Sequence, residues 1–109
     1  MNERVAVARI LLVEDDPDLL FLLEHILRVE GHSINAVRTV SDALSLLECG
    51  FYDLAITDGR QPDGTGMMVG DKAVEKGVRV LILTGYAFML AKEGLLRYPC
   101  LLKPVRPSE

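Results

Sequence analysis

Short apolar runs that alternate with helical patterns constrain the fold of this chain more than any other feature. Residues 9–13 read RILLV, and similar runs occupy residues 52–57 and 78–83. Continuous apolar runs of this length are typical of strands that are buried on both faces of a sheet. A more polar run at residues 33–37 and a short one at residues 100–102 complete a set of five predicted strands.

Helical patterns lie between the predicted strands. The first helix begins after Asp16 as its N-cap, with proline at the first helical position, and ends at Gly31. A second helix is predicted from Ser41, as its cap, to about Cys49, and a third over residues 66–76. This alternation predicts right-handed βαβ units and a parallel sheet covered on both faces. The predicted core-facing residues of the first helix are Leu19, Leu20, Leu23, Ile26 and Leu27.

Composition limits the classes of function. The 109 residues predict one domain, 1–109, and the net charge of −4 with scattered Lys and Arg argues against direct DNA binding. The N-terminus lacks a signal-peptide pattern and no apolar run is long enough to span a bilayer, so we expect a cytoplasmic protein without a membrane partner. Cys49 and Cys100 have no metal-ligand spacing and are predicted to be buried thiols.

Polar residues follow four of the five predicted strands at their carboxyl ends. Glu14 and Asp15 follow the first strand, Asp58 the third, Thr84 the fourth and Lys103 the fifth. In an open parallel sheet the carboxyl ends of the strands meet at one edge, where ligand sites form. The sequence therefore predicts one site with three carboxylates, a hydroxyl and an ammonium.

Three neighbouring carboxylates suit a hard cation such as Mg²⁺, which also relieves their mutual repulsion. A carboxylate beside a divalent ion can attack phosphorus and form an acyl phosphate. The Lys103 ammonium would neutralise charge on the transferred oxygens, and the Thr84 hydroxyl would bind a phosphoryl oxygen. Asp16 is assigned to the helix cap instead of the cation.

The motifs ILLVEDD, YDLAITD, QPDGTG, LILTG and LLKP, in this order, resemble the receiver domain of two-component response regulators. The resemblance covers about residues 8–107. It implies a flavodoxin-like, three-layer α/β fold with a parallel five-stranded sheet in the order 2-1-3-4-5. Because the sequence stops at RPSE, where a helix would open, we expect the fifth helix to be missing or truncated.

The resemblance also implies roles for the site residues. Asp58 would accept a phosphoryl group from a sensor histidine kinase or a phosphotransfer protein. Asp15 would bind Mg²⁺ directly, Glu14 through water and Arg60 through its main-chain carbonyl, with Mn²⁺ as an alternative ion. Thr84 and Lys103 would engage the phosphoryl group.

The resemblance is weaker at the residues that change position on activation in this family, a threonine and an aromatic residue. The usual aromatic residue, three positions before the lysine, is replaced by Cys100. Tyr86 and Tyr98 are then the aromatic switch candidates, together with Thr84. The resemblance further implies a cis peptide at Lys103–Pro104.

The predicted function is a stoichiometric phosphoacceptor with slow self-catalysed phosphorylation and dephosphorylation, not a turnover enzyme. Output would pass through an unidentified downstream protein, and a homodimer is compatible with the sequence. The main alternative is a degenerate receiver that serves as a protein-interaction scaffold without phosphorylation. A Mg²⁺-dependent phosphatase is disfavoured because Gln61 stands where its motif needs aspartate, and an FMN site is disfavoured because the acidic loop would repel phosphate.

Overall fold

One parallel sheet runs through the molecule, and the computed structural model describes residues 7–61, 64–84 and 100–102. The strands are β1 (Arg9–Val13), β2 (Ser33–Val37), β3 (Leu54–Asp58), β4 (Arg60–Gln61), β5 (Gly64–Thr65), β6 (Arg79–Thr84) and β7 (Cys100–Leu102). The main sheet has the order β2-β1-β3-β6-β7 with every neighbouring pair parallel. The predicted order 2-1-3-4-5 is confirmed, since β4 and β5 form a separate antiparallel hairpin.

The helix α1 (Pro17–Val29) begins as the sequence predicts. Asp16 has an extended backbone, and its Oδ1 accepts hydrogen bonds from the main-chain N–H groups of Asp18 at 3.0 Å and Leu19 at 3.4 Å. These bonds satisfy donors that the first turn of a helix leaves without an intrahelical acceptor. After the helix, Gly31 has a φ of +99°, a conformation that favours glycine.

Helix α2 (Val40–Cys49) is capped by Thr39, so the prediction of Ser41 as its cap is wrong. Thr39 has an extended backbone, and its Oγ1 accepts the Asp42 N–H at 3.1 Å, whereas Ser41 already lies within the helix. Both residue types can cap a helix, and the end of β2 decides between them by setting where the chain turns. Helix α3 (Gly66–Glu75) is followed by Gly77 at a φ of +78°.

Two strands are shifted relative to their predicted bounds. The third was predicted over residues 52–57 and is observed at Leu54–Asp58, so Asp58 belongs to the strand itself. Tyr52 lies before the strand, where its ring is buried and its hydroxyl donates to Asn35 Oδ1 at 2.9 Å. The fourth strand was predicted over residues 78–83 and is observed at Arg79–Thr84.

The core lies in two layers, one on each face of the sheet, as predicted for this fold class. Helices α2 and α3 cover one face and α1 the other. Ile26 was predicted to face the core, but it is 47% exposed, because the sheet-facing side of α1 is occupied by Leu20, Leu23 and Leu27. The buried residues of the α1 layer are Ile10, Leu12, Ile34, Ile56 and Leu83.

Cys49 is exposed at the end of α2, so the prediction that it is buried is wrong. The helix turns Leu47 towards the core, and this places Cys49 on the solvent side. Within the described part of the chain, no helix is long and apolar enough to cross a membrane. Several predictions fall outside the described residues: the segment 86–97, the side chain of Cys100, the Lys103–Pro104 peptide and the fifth helix.

Candidate acidic site at the carboxyl edge of the sheet

Three carboxylates meet where β1 and β3 end. One carboxylate oxygen from each of Glu14, Asp15 and Asp58 lies within 4.8 Å of the other two. Strands β1 and β3 are parallel neighbours, with Val13 opposite Thr57. The next residues along the two strands, Glu14 and Asp58, therefore lie at the same edge of the sheet. Glu14 is fully buried, Asp58 is 6% exposed and Asp15 is half-buried. The structure thus brings together the three carboxylates that were predicted to converge.

Glu14 is held at both its main chain and its side chain. Its N–H donates to the Val37 carbonyl at 3.1 Å, which extends the contact between β1 and β2 by one residue. Its Oε2 accepts the Asp16 N–H at 3.0 Å, and its Oε1 is shielded from solvent. This carboxylate is therefore fixed against the turn that leads into α1.

The three consecutive acidic residues after β1 have two different roles. The Asp16 carboxylate caps α1, and only Glu14 and Asp15 join Asp58 in the cluster. The guanidinium of Arg38, which follows β2, donates to the Asp15 main-chain carbonyl at 3.2 Å. This contact ties the turn after β1 to the turn after β2, and the sequence offered no spacing signal for it.

The main chain around Asp58 is fixed from neighbouring elements. The Gly59 N–H donates to the Leu83 carbonyl of β6 at 2.8 Å, and the Gly66 N–H at the start of α3 donates to the Gly59 carbonyl at 2.9 Å. The contact of Gly66 with the segment after Asp58 was not predicted from the sequence. The only sequence signal for it was a glycine at the start of a predicted helix.

The donor set fits Mg²⁺. Carboxylate oxygens are its preferred protein ligands, and opposite ligands of an octahedral ion stand roughly 4.2 Å apart, twice the metal–oxygen distance. A spread of up to 4.8 Å accommodates one or two direct ligands and another that acts through water. Since three negative charges at this spacing repel one another, a divalent cation would also lower their electrostatic energy.

The other predicted site residues are described only in part. The main chain of Thr84 ends β6 one residue after Leu83, which pairs with Asp58, so Thr84 lies at the same edge. Arg60 begins β4 two residues after Asp58, and its carbonyl stays a predicted ligand. The side chain of Thr84 and the whole of Lys103, Tyr86 and Tyr98 lie outside the described residues.

Known proteins resemble this chain over most of its length. The family model for the response regulator receiver domain matches residues 10–109. The transcriptional regulatory protein GlrR of Escherichia coli is 34% identical over 105 residues, which cover 90% of this chain and 23% of GlrR. The chain therefore spans about a quarter of the length of that relative.

Solved receiver structures share the fold. TrrA, a response regulator of Thermotoga maritima solved in complex with Mg²⁺-BeF, is 28% identical with a TM-score of 0.80, over 90% of this chain and 88% of that one. The receiver domain of sensor histidine kinase PA1611 from Pseudomonas aeruginosa PAO1, with a magnesium ion in its active site cleft, is 29% identical with a TM-score of 0.79. That match covers 94% of this chain and 90% of the other. By family match, sheet order and acidic cluster alike, the chain belongs to the response regulator receiver domain family.

Proposed function

We propose that residues 1–109 form a single phosphoacceptor domain in which Asp58 receives a phosphoryl group from a histidine kinase or a phosphotransfer protein. Receiver domains in general are phosphoacceptor signalling modules, not classical enzymes, and they interact with such donors. The observation that carries the proposal is the meeting of Glu14, Asp15 and Asp58 within 4.8 Å at the carboxyl edge of the sheet.

Four groups would hold the cation. Asp15 and Asp58 would bind through carboxylate oxygens, Glu14 through water and Arg60 through its main-chain carbonyl. Mg²⁺ would supply charge neutralisation for the oxygens of the transferred group, with Mn²⁺ as a substitute. Magnesium in the TrrA and PA1611 structures supports this assignment, because those domains share the fold of this chain.

The transfer would proceed at the Asp58 carboxylate. One Oδ attacks phosphorus as the phosphorus–nitrogen bond to the donor histidine breaks, and the leaving imidazole takes up a proton from solution. The new phosphorus–oxygen bond gives an acyl phosphate on Asp58. The Thr84 hydroxyl and the Lys103 ammonium would bind the phosphoryl oxygens, and the acyl phosphate would later hydrolyse slowly without a second enzyme.

The charge added at Asp58 would supply the signal. A phosphoryl group brings a charge of about −1.5 to −2 to other phosphorylated side chains. At a buried strand end, new negative oxygens would draw Thr84 towards them, and Tyr86 or Tyr98 would change position with it. A surface for an unidentified downstream protein would then shift between two arrangements.

The test is the intact mass of the protein after incubation with acetyl phosphate, with and without Mg²⁺. We expect a Mg²⁺-dependent gain of one phosphoryl group. In the Asp58→Asn variant this gain is lost, because an amide cannot displace the acetate leaving group from phosphorus.

The matched control is Asp53→Asn, the same substitution just before the other end of β3. Asp53 is exposed and its Oδ2 accepts the Arg9 N–H at 2.8 Å, a bond that an amide oxygen can also accept. This variant should label like the wild type. A wild-type protein that binds Mg²⁺ but gains no phosphoryl group would favour the scaffold alternative instead.

A further inference from the structure

The carbonyl group of Asp58 is packed unusually closely against the start of α3. A Cβ atom placed on Gly66 would overlap the Asp58 carbonyl oxygen and lie 3.1 Å from Gly59 Cα. Gly66 is buried, and its φ does not lie in the left-handed region. Glycine is therefore required here for space and not for backbone conformation, so α3 can approach the acceptor strand only because residue 66 has no side chain.

A buried hydroxyl contacts the same carbonyl group. Thr57 is fully buried, and its Oγ1 donates a hydrogen bond to the Asp58 carbonyl oxygen at 3.1 Å. Thr57 precedes the acceptor in β3, so its side chain points to the opposite face of the sheet from that of Asp58. This hydroxyl can therefore act on Asp58 only through the main chain, not by contact with a phosphoryl group.

Together these contacts hold the acceptor residue on several sides. The Gly66 N–H donates to the Gly59 carbonyl at 2.9 Å, and the Gly59 N–H donates to β6 at Leu83 at 2.8 Å. The main chain of Asp58 cannot shift without breaking one of these bonds or separating α3 from β3. The bond between Gly66 and Gly59 also closes the segment that carries Arg60, the predicted carbonyl ligand.

Position matters strongly at this site. Mg²⁺ needs ligands near 2.0–2.1 Å in an almost ideal octahedron, and a misplacement of about 1 Å can slow a reaction by roughly a hundredfold. The Asp58 carboxylate lies within 4.8 Å of its partners, and a shift of the Asp58 main chain would move this carboxylate with it. Loss of the contacts that fix this main chain should therefore lower the affinity for the cation and the rate of phosphorylation.

We propose that Thr57 and Gly66 are positioning residues, which hold the Asp58 main chain so that its carboxylate completes the cation site and meets the phosphoryl donor. The proposal rests on the proposed function for its second half. Its first half, cation affinity, does not depend on phosphorylation.

A pair of substitutions at Thr57 separates positioning from packing. Thr57→Val keeps the shape and removes the hydroxyl, while Thr57→Ser keeps the hydroxyl and removes a buried methyl group. If the hydroxyl positions Asp58, the valine variant should bind Mg²⁺ about fivefold more weakly and label more slowly, and the serine variant should resemble the wild type. The order should be reversed for thermal stability: the serine variant should have a lower Tm than the valine variant, because serine loses a buried methyl group.

Gly66→Ala tests the close approach. The added methyl group should displace the Asp58 carbonyl and weaken Mg²⁺ binding by about tenfold or more, with a comparable loss in the labelling rate. Gly50→Ala is the matched control, because a Cβ there would lie 3.4 Å from the nearest atom and the residue has an extended backbone. It should leave Mg²⁺ binding unchanged.

Mg²⁺ affinity is measured by isothermal titration calorimetry, labelling by intact mass with acetyl phosphate, and folding by circular dichroism. Wild-type affinity and labelling in Thr57→Val, or in a folded Gly66→Ala, would overturn the proposal. If Gly66→Ala does not fold, the Thr57 pair decides alone. A wild-type protein that binds Mg²⁺ without labelling would refute the proposed function, and the affinities would still test positioning.

Discussion

Helices α2 and α3 on one face of the sheet each contribute fully buried apolar residues, whereas α1 on the other face has none. On the first face Ala43, Leu47, Val69 and Ala73 are each at most 1% exposed. On the second face Leu20, Leu23 and Leu27 are only partly buried against the sheet. The same helical periodicity thus leads to two different degrees of burial.

The difference lies in how many of the apolar side chains of each helix the neighbouring elements cover. Helix α1 carries large apolar side chains well beyond its sheet-facing side, and Phe21 is 74% exposed and Val29 69%. In α2, by contrast, Val40, Ala43 and Leu47 are buried, and Leu44 and Leu46 pack against the same core. A helix whose apolar residues extend beyond its sheet-facing side does not reveal from its pattern alone which of them the sheet covers.

The ion pairs on the two faces of the sheet also differ, because those of α2 and α3 join two helices and that of α1 does not. Lys72 of α3 forms an ion pair with Glu48 of α2, and Lys76 Nζ lies 3.5 Å from the same carboxylate, so these ion pairs link two helices. The ion pair on α1, between Arg28 and Glu24 at 2.8 Å, stays within one helix. Arg28 also donates to the Ile34 carbonyl of β2 at 3.0 Å, which ties α1 to the sheet at one point.

Matched truncations on the two faces should have the largest effect on stability. Leu47→Ala should lower the free energy of unfolding by roughly 2–5 kcal/mol, because it leaves a cavity in a packed layer. Ile26→Ala should lower it by less than about 1 kcal/mol, since that side chain is 47% exposed. Urea unfolding of both variants measures the difference, and equal losses would show that α1 is packed as tightly as α2.

Removal of the helix caps on the two faces should have a smaller effect on stability than the Leu47 truncation, with a larger loss at Thr39 than at Asp16. Asp16→Ala and Thr39→Ala each remove a side-chain acceptor from a first turn, which costs about 1 kcal/mol. The loss should be smaller for Asp16, because removal of its charge also relieves repulsion from Glu14 and Asp15. Unfolding in urea without Mg²⁺ tests the order, and a larger loss for Asp16→Ala would contradict this account.

The ion pair between α2 and α3 should give the smallest effect, and one that depends on pH. The hydrogen bond from Lys72 lowers the pKa of Glu48 below its ordinary 4.5, and the same bond raises the pKa of Lys72 above 10.5. A lowered carboxyl pKa gives stability that is present above 4.5 and lost as pH falls through the lowered value. A raised lysine pKa gives stability that is present below 10.5 and lost as pH rises through the raised value.

Glu48→Gln should therefore lower Tm slightly at neutral pH, and the difference from the wild type should shrink in acid. Both partners are partly exposed, so the effect should be small and weaker still at high salt. Glu30→Gln, an exposed carboxylate at the C-cap of α1, is the control. A difference in Tm that is constant from neutral to acidic pH would mean that the ion pair does not stabilise the packing of α2 on α3.

The strand pattern and the composition of the acidic site could be predicted from local features of the sequence. The strands at Arg9–Val13, Ser33–Val37 and Cys100–Leu102 have their predicted bounds, because apolar runs and turn residues are local signals. Glu14, Asp15 and Asp58 could be grouped from sequence, since parallel strands bring their carboxyl ends to one edge. The capping role of Asp16 was also readable from its neighbouring proline.

Local sequence could not distinguish between neighbouring residues that are equally suited to the same cap, core position or close contact. Thr39 and not Ser41 caps α2, Ile26 is exposed while Leu27 packs against the sheet, and Gly66 lies against the Asp58 carbonyl. Each outcome depends on where a strand ends or how closely two elements approach. Such contacts join residues that are far apart along the chain, and local propensity does not depend on residues at that distance.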